Sequence, residues 1–363
     1  MSSSVIPCLF LMIILTNGLK AQHQPIEVAS FGKNQPIGMA VSEKTSRVFV
    51  SFPHHEPFLY ALTEIIDGQR VPFPNKSWNI YDPQKPLAHF INVQDMMVDA
   101  EDNLWVLDSK PGGTNSVFGN KGSSNGQFKL VKISLIDNQI KKIYTFDDLP
   151  KEKSALNDVR IDCDKQMAYL SDPGLKAIVV LDLVSEKSRI VLQNNPATLA
   201  MPGFTLHIEG KDVVNDHHDP FVSNVNGIAL THDNQYLYFR AINQEYLYRI
   251  ATQYLVNPSI DPQTLSTKIE KVAKTGVCHG MIADAQGNIY LSVSTEKAIK
   301  YLSPDGKLHM LSQNDQYIWP DSFGIGGDGY LYFTCSQVNR NASYNSGKSA
   351  YSYPFKAFKV KLP

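Results

Sequence analysis

The chain has 363 residues, of which 43% are hydrophobic, 10% aromatic and 19% charged, the balance of a folded globular protein rather than a disordered or fibrous one. Lysines and arginines number 34 against 35 acids, a net charge of -1 with no basic run, which argues against nucleic acid as a partner. This length buries one large core or two ordinary ones, and a folded enzyme or binding protein remains.

At the N-terminus, Met-Ser-Ser-Ser precedes an apolar run of 11 residues from Val5 to Leu15 and then Thr-Asn-Gly-Leu-Lys-Ala-Gln. The pattern reads as a secretory signal peptide with a weak n-region and cleavage after Ala21, because a membrane span needs about 20 apolar residues. Residues 1–21 are therefore expected to be removed, and residues 22–363 to form one secreted domain, extracellular or periplasmic, with no membrane span. Cys8 leaves with the signal, and Cys163, Cys278 and Cys335 remain, so at most one disulfide forms within the chain. All three lie in or beside predicted strands and read as small buried hydrophobes. None has the spacing of a zinc site. Asn75-Lys-Ser and Asn341-Ala-Ser match the glycosylation acceptor pattern of eukaryotic hosts.

From Gly38 onward one hairpin recurs six times, opening at Gly38, Asp95, Asn157, Asn226, His279 and Asp321. Each copy is a short apolar strand, a polar turn such as Glu101-Asp-Asn or Gln286-Gly-Asn, and a strand rich in Tyr, Trp, Phe and Val. A third strand follows in most, as in Phe128-Lys-Leu-Val-Lys-Ile, Ala177-Ile-Val-Val-Leu-Asp-Leu, Tyr246-Leu-Tyr-Arg-Ile and Ala298-Ile-Lys-Tyr-Leu. The copies start 42 to 69 residues apart, the spacing of four-stranded blades with variable loops. The fold class predicted is all-β, a six-bladed β-propeller. Two packed sandwiches are the competing all-β arrangement, but they do not require six like copies. Ile26-Glu-Val-Ala-Ser-Phe has no hairpin of its own and Ala357-Phe-Lys-Val-Lys-Leu ends the last copy. An N-terminal strand closing the last blade joins the two and removes an open edge. The longest insertions are Ser109 to Gln127 and Gln193 to Asn224, where specificity is usually placed.

In such a ring the residue opening each repeat lies at the channel mouth. This gives Gly38, Asp95, Asn157 with Asp158, Asn226, His279, and Asp321 with Ser322. Carboxylates, carboxamides and an imidazole converging from different blades can ligate a divalent cation, or hold a polar ligand and move its protons. The same residues are also ordinary strand-start chemistry that caps backbone groups. His54-His55 and His217-His218 read as solvated loop histidines, since neighbours on an extended chain point opposite ways.

Leu156-Asn-Asp-Val-Arg-Ile-Asp, Asn224-Val-Asn-Gly-Ile-Ala-Leu, Tyr236-Leu-Tyr-Phe-Arg, Leu247-Tyr-Arg-Ile, Gly280-Met-Ile-Ala-Asp, Trp319-Pro-Asp-Ser-Phe and Asn103-Leu-Trp-Val-Leu-Asp-Ser resemble the signatures of the yellow and major royal jelly family, especially its microbial branch. The likeness runs from about Ile26 to Leu362 and implies a secreted six-bladed propeller with a ligand pocket at one channel opening. More distantly the chain resembles the gluconolactonase and senescence-marker propellers, which are calcium- or zinc-dependent lactone hydrolases. Asn157 and Asn226 match two metal-ligand positions of that pattern, but Gly38 or Ile37 stands at its Glu and His279 at its Asp. Asp95, Asp158 or Asp321 would have to restore the charge that a Ca2+ ion or another divalent cation needs.

Two functions follow as expectations. One is a binding protein for a small polar or aromatic ligand, held by Asp95, Asn157, Asn226, His279, Asp321 and Ser322. The other is an enzyme, either a metal-assisted lactone hydrolase or a dopachrome-type tautomerase in which His279 exchanges protons while Asp321 or Asp158 orients the substrate.

Overall fold

The computed structural model describes residues 23–109 and 128–363, so the expected signal peptide and nearly all of the Ser109 to Gln127 insertion lie outside the described residues. Among the described residues there are six four-stranded antiparallel sheets, five in sequential strand order and the last completed by the N-terminal strand. Their innermost strands are Met39–Val41, Val93–Val98, Val159–Asp162, Val225–Leu230, Met281–Ala283 and Pro320–Ile325, and each packs against the next to form a ring around one axis. We number the blades one to six in that order. In blade six, the N-terminal strand Ile26–Ser30 pairs with the C-terminal strand Lys356–Lys361, the closure that the unpaired end segments predict. Tying both termini into one sheet leaves no open seam in the ring.

The same residue types recur because each blade solves the same local problem. An aspartate at the end of an inner strand folds the turn to the second strand. Asp99 accepts from the backbone N–H of Glu101 and Asn103 and from Trp105 Nε1 at 2.7 Å. Asp284 accepts likewise from Gln286, Asn288 and the Tyr290 hydroxyl at 2.8 Å. At the far end of the second strand, Asp108, Asp172 and Asn243 take backbone N–H groups of the segment entering their own inner strand. Asp108 is also ion-paired to the fully buried Lys129. These buried acceptors carry backbone donors that the irregular segments would otherwise leave unmade.

Alternation places one face of each sheet against the next, and the cores between blades are aliphatic and aromatic. Between blades two and three, for example, Trp105, Leu107, Leu130, Val159, Leu170 and Val179 pack together. Glycine is required where inner strands approach most closely. A Cβ on Gly227 would lie 2.0 Å from the His279 carbonyl oxygen, and one on Gly280 would lie 2.0 Å from that of Asp321. The insertion before blade four carries a short hairpin, His207–Ile208 with Lys211–Asp212. It is fastened over blades four to six by an apolar cluster of Leu206, Ile208, Val213, Phe221, Trp319 and Val338. Glu209 at its tip pairs with Arg340 and Lys297. Among the described residues Cys163, Cys278 and Cys335 are free thiols, and no helix is long and apolar enough to cross a membrane.

Candidate functional site

The residues opening the six repeats gather at one end of the channel and fall into two layers. Strand pairing aligns Ile37, Gln94, Asn157, Asn226, His279 and Asp321 in an outer layer, with Gly38, Asp95, Asp158, Gly227, Gly280 and Ser322 one residue deeper. The sequence reading mixed the two, placing Asp95 where Gln94 stands.

The deeper layer stitches blades together. Inner strands of neighbouring blades are not hydrogen-bonded as a sheet, so their first amides need other acceptors. Asp95 Oδ2 accepts from the Val159 amide at 3.0 Å, and the Asp158 carboxylate accepts from the Ile228 amide. Ser322 Oγ donates to Asp95 Oδ1 at 3.2 Å, spanning the position where Gly38 has no side chain. Within blades, Ser51, Ser171 and Ser292 accept from the amides of Gly38, Asp158 and Gly280. In that serine register blade four carries Arg240, which is fully buried and donates to Ala241 O, Thr275 Oγ1 and Gln244 O.

One residue that the sequence reading did not single out organises the axis. Arg160, 7% exposed, reaches from blade three across the channel. Its Nη1 donates to Asp95 Oδ2 at 2.9 Å and to Val159 O at 2.5 Å, and its Nη2 donates to Met281 O of blade five at 2.9 Å. The Asp158 carboxylate lies 4.0 Å away. Its register partners on the other inner strands are Ala40, Met97, Ala229, Ile282 and Gly324. A lone charge among small and apolar residues is the signal that strict alignment of the repeats would have exposed. The guanidinium divides the channel into a polar mouth and a second hollow beyond it.

At the mouth, Asp158 of blade three and Asp321 of blade six come from opposite sides of the ring and interact electrostatically. Burial, then the charge of Asp95, raises the Asp158 carboxyl well above the usual range against the pull of Arg160. Burial pushes Asp321 up to about 7, opposed by the Ser336 hydroxyl, which donates to Oδ2 at 2.8 Å. Around them, Gln94 Nε2 donates to Asn157 Oδ1 at 3.2 Å, Asn157 Nδ2 to Asp158 Oδ1 at 2.7 Å, and Asn226 Nδ2 to Ser223 Oγ at 3.2 Å. Desolvated carboxyls amid amides are equipped to exchange protons with a polar ligand near neutral pH.

His279 is placed differently from the proton-exchanging role expected of it. It is 1% exposed, stacks on Trp319 at 4.0 Å and lies against Ser294, whose Oγ is 2.5 Å from Nε2. Its Nδ1 is buried without a partner. Burial, reinforced by the charge of Arg240, pushes its pKa down to about 3, so it is a neutral ring in the scaffold. Trp319 reaches this stack from a left-handed backbone, φ 53°, a strained conformation for a bulky residue, and packs edge-on against Phe221 of the insertion. The insertion thus covers His279.

The position that the lactonase pattern fills with a Glu ligand is closed, and Asp95 is already taken. A Cβ on Gly38 would lie 2.6 Å from Ser51 Oγ and 3.1 Å from Gln94 O, so no ligand side chain fits there. Asp95 is engaged by Arg160 rather than left for a metal. Among the described residues no group of three or more His, Cys, Asp or Glu comes together to hold a metal ion. His54 stacks on Tyr81 at 3.5 Å, and His217 and His218 are exposed. Of the two acceptor asparagines, Asn75 is exposed and Asn341 half-buried. A groove of about 680 Å³ between blades four and five contains none of the ring residues.

Fold and site together define a six-bladed propeller with an acid–amide channel mouth, sealed along its axis by an arginine. The major royal jelly protein family model matches residues 91–362, and the chain belongs to that family. No curated protein matches it. Among solved structures it is similar to a streptogramin B lyase, at 14% identity over 94% of this chain and 98% of that one, with a TM-score of 0.52. It is also similar to a gluconolactonase from Xanthomonas campestris, at 11% identity over 94% and 90%, TM-score 0.54. A third is regucalcin, a calcium-binding protein from Agrobacterium tumefaciens, at 13% identity over 94% and 96%, TM-score 0.55. At these identities the likeness establishes the propeller fold.

Proposed function

We propose that the chain is an enzyme that moves protons on a small polar substrate at the channel mouth, a tautomerase or isomerase rather than a metal-assisted hydrolase. The observation that carries this is the pair Asp158 and Asp321, contributed by opposite blades, desolvated, and with Asp321 poised near neutrality. A substrate with an acidic C–H or O–H beside a carbonyl gives its proton to ionised Asp321. It receives one at the other end of the conjugated system from neutral Asp158, and passage of a proton from Asp321 to Asp158 through water at the mouth restores both groups. Gln94, Asn157 and Asn226 hold the substrate by hydrogen bonds, and His279 supports Trp319 behind them. The lyase and lactonase names among the similar structures favour a catalytic mouth by analogy only. Export of the mature chain belongs to the same proposal and rests on residues 1–21.

Turnover of dopachrome-like quinones, enolisable keto acids and lactones by the wild type and Asp321→Asn tests it. Asp321→Asn is expected to lower kcat on an enolisable substrate by 10²-fold or more, roughly the worth of one acid–base group, while leaving KM within a few-fold. Equal kcat in both proteins overturns the assignment. Binding without turnover is the second reading, favoured by the commitment of Asp95 and Asp158 to neighbouring amides. A saturable ligand with no turned-over analogue selects it.

A further inference from the structure

Beyond Arg160 the channel continues as a cavity of about 390 Å³ that opens at the end opposite the carboxyl pair. Its volume is within the range of small-molecule sites. The wall comes from the far halves of the inner strands, with Met97, Ile161, Leu230, Ile282 and Phe323 among its lining residues. Apolar side chains facing a hollow forgo the dispersion contacts that a packed core supplies, so an apolar occupant gains them. The roof is polar: Arg160 lines the cavity, and while Nη1 donates to Asp95 and Val159 O, Nη2 donates to Met281 O alone, leaving one of its N–H groups without an acceptor. A guanidinium offers five N–H groups, and an unmade buried donor favours any ligand that brings an acceptor.

Charge narrows the class further. The lining carries Glu43, Asp99, Asp102 and Asp164 against Lys44, and the positive charge of Arg160 is already met by Asp95 at 2.9 Å. An anion is repelled at the rim and finds no unbalanced cation inside. We propose that this end of the channel is a second binding site, taking small, uncharged, largely apolar molecules that present one hydrogen-bond acceptor, such as a carbonyl oxygen, to Arg160. The site is independent of the acid–base mouth and stands or falls separately from it.

The test uses the full chain labelled with 13C at the methionine methyls, because Met96 and Met97 both line the cavity. Cyclohexanone, methylcyclohexane and cyclohexanecarboxylate serve as probes of one size. Cyclohexanone is expected to shift Met96 and Met97 saturably and to bind about tenfold tighter than methylcyclohexane, the worth of one hydrogen bond to a charged donor. The carboxylate is expected to leave both methyls unmoved. Ala283→Phe, which fills part of the lining, should abolish the response, Asp321→Asn should preserve it, and Arg160→Met should erase the preference for the ketone. If Arg160→Met does not fold, the ketone and hydrocarbon comparison in the wild type decides alone. Silence of both methyls with cyclohexanone, equal affinity for the hydrocarbon or the carboxylate, or an unchanged response in Ala283→Phe each overturns the proposal.

Discussion

Replacing Asp321 by Asn tests the electrostatics of the mouth through stability, without any substrate. In the folded chain burial raises this carboxyl from 3.8 to about 7, with Asp95 adding repulsion. In the unfolded chain it titrates near the ordinary value, so between pH 3.8 and 7 the native state holds a proton that the unfolded state does not. The contribution is fully present below pH 3.8 and is lost as the pH rises through 7. A shift of about three pH units corresponds to about 4 kcal/mol as a ceiling. Asn mimics the neutral acid in shape and keeps an oxygen for the Ser336 hydroxyl, so Asp321→Asn lacks this dependence. Urea unfolding of both proteins at pH 4, 6 and 8 reads it out. The variant should gain on the wild type as the pH rises, by up to about 4 kcal/mol between pH 4 and 8. Parallel pH profiles in the two proteins refute the reasoning, because they mean that Asp321 ionises as freely in the fold as in water.

Arg160→Met leaves Asp95 buried without its cation and should cost about 3–5 kcal/mol in urea unfolding at pH 7; a loss under 1 kcal/mol would mean that the pair does not lock the axis. Gly227→Ala puts a Cβ 2.0 Å from the His279 carbonyl, and spreading blades four and five to admit it should cost roughly 3 kcal/mol. Unchanged thermal stability of that variant contradicts the close approach. His279, depressed to about 3 by burial, stays neutral in the fold while the unfolded chain protonates below about pH 6.5. Its contribution is therefore present above pH 6.5 and lost on acidification toward pH 3, by up to about 1.4 kcal/mol per pH unit. His279→Leu should flatten the stability profile across that window, and an identical slope in the variant would place the imidazole in solvent.

Much of the fold was legible because its signals are local. Each blade announces itself by strand alternation, and blades two and five also by a turn aspartate, Asp99 or Asp284, whose partners lie within six residues. The closing strand was legible for a related reason, since Ile26–Ser30 had strand character and no hairpin partner of its own. At the mouth the polar opening residues were legible as a set, but their depth was not. Gln94 and Asp95 differ by one residue in register, and only strand pairing decides which of them faces the mouth and which stitches blades together.

The repeats in the sequence by themselves determined the blade count, the ring and the kinds of side chain at its mouth, because those depend on periodicity and turn chemistry within a few residues. Tertiary structure alone decided what those side chains do. Arg160 meets the Met281 carbonyl 121 residues away, and Ser322 meets Asp95 across 227. His279 became scaffold only because the insertion of blade four brings Phe221 against Trp319 above it. Burial and charge at a point in space are sums over every element that converges there, and no short stretch of chain contains them.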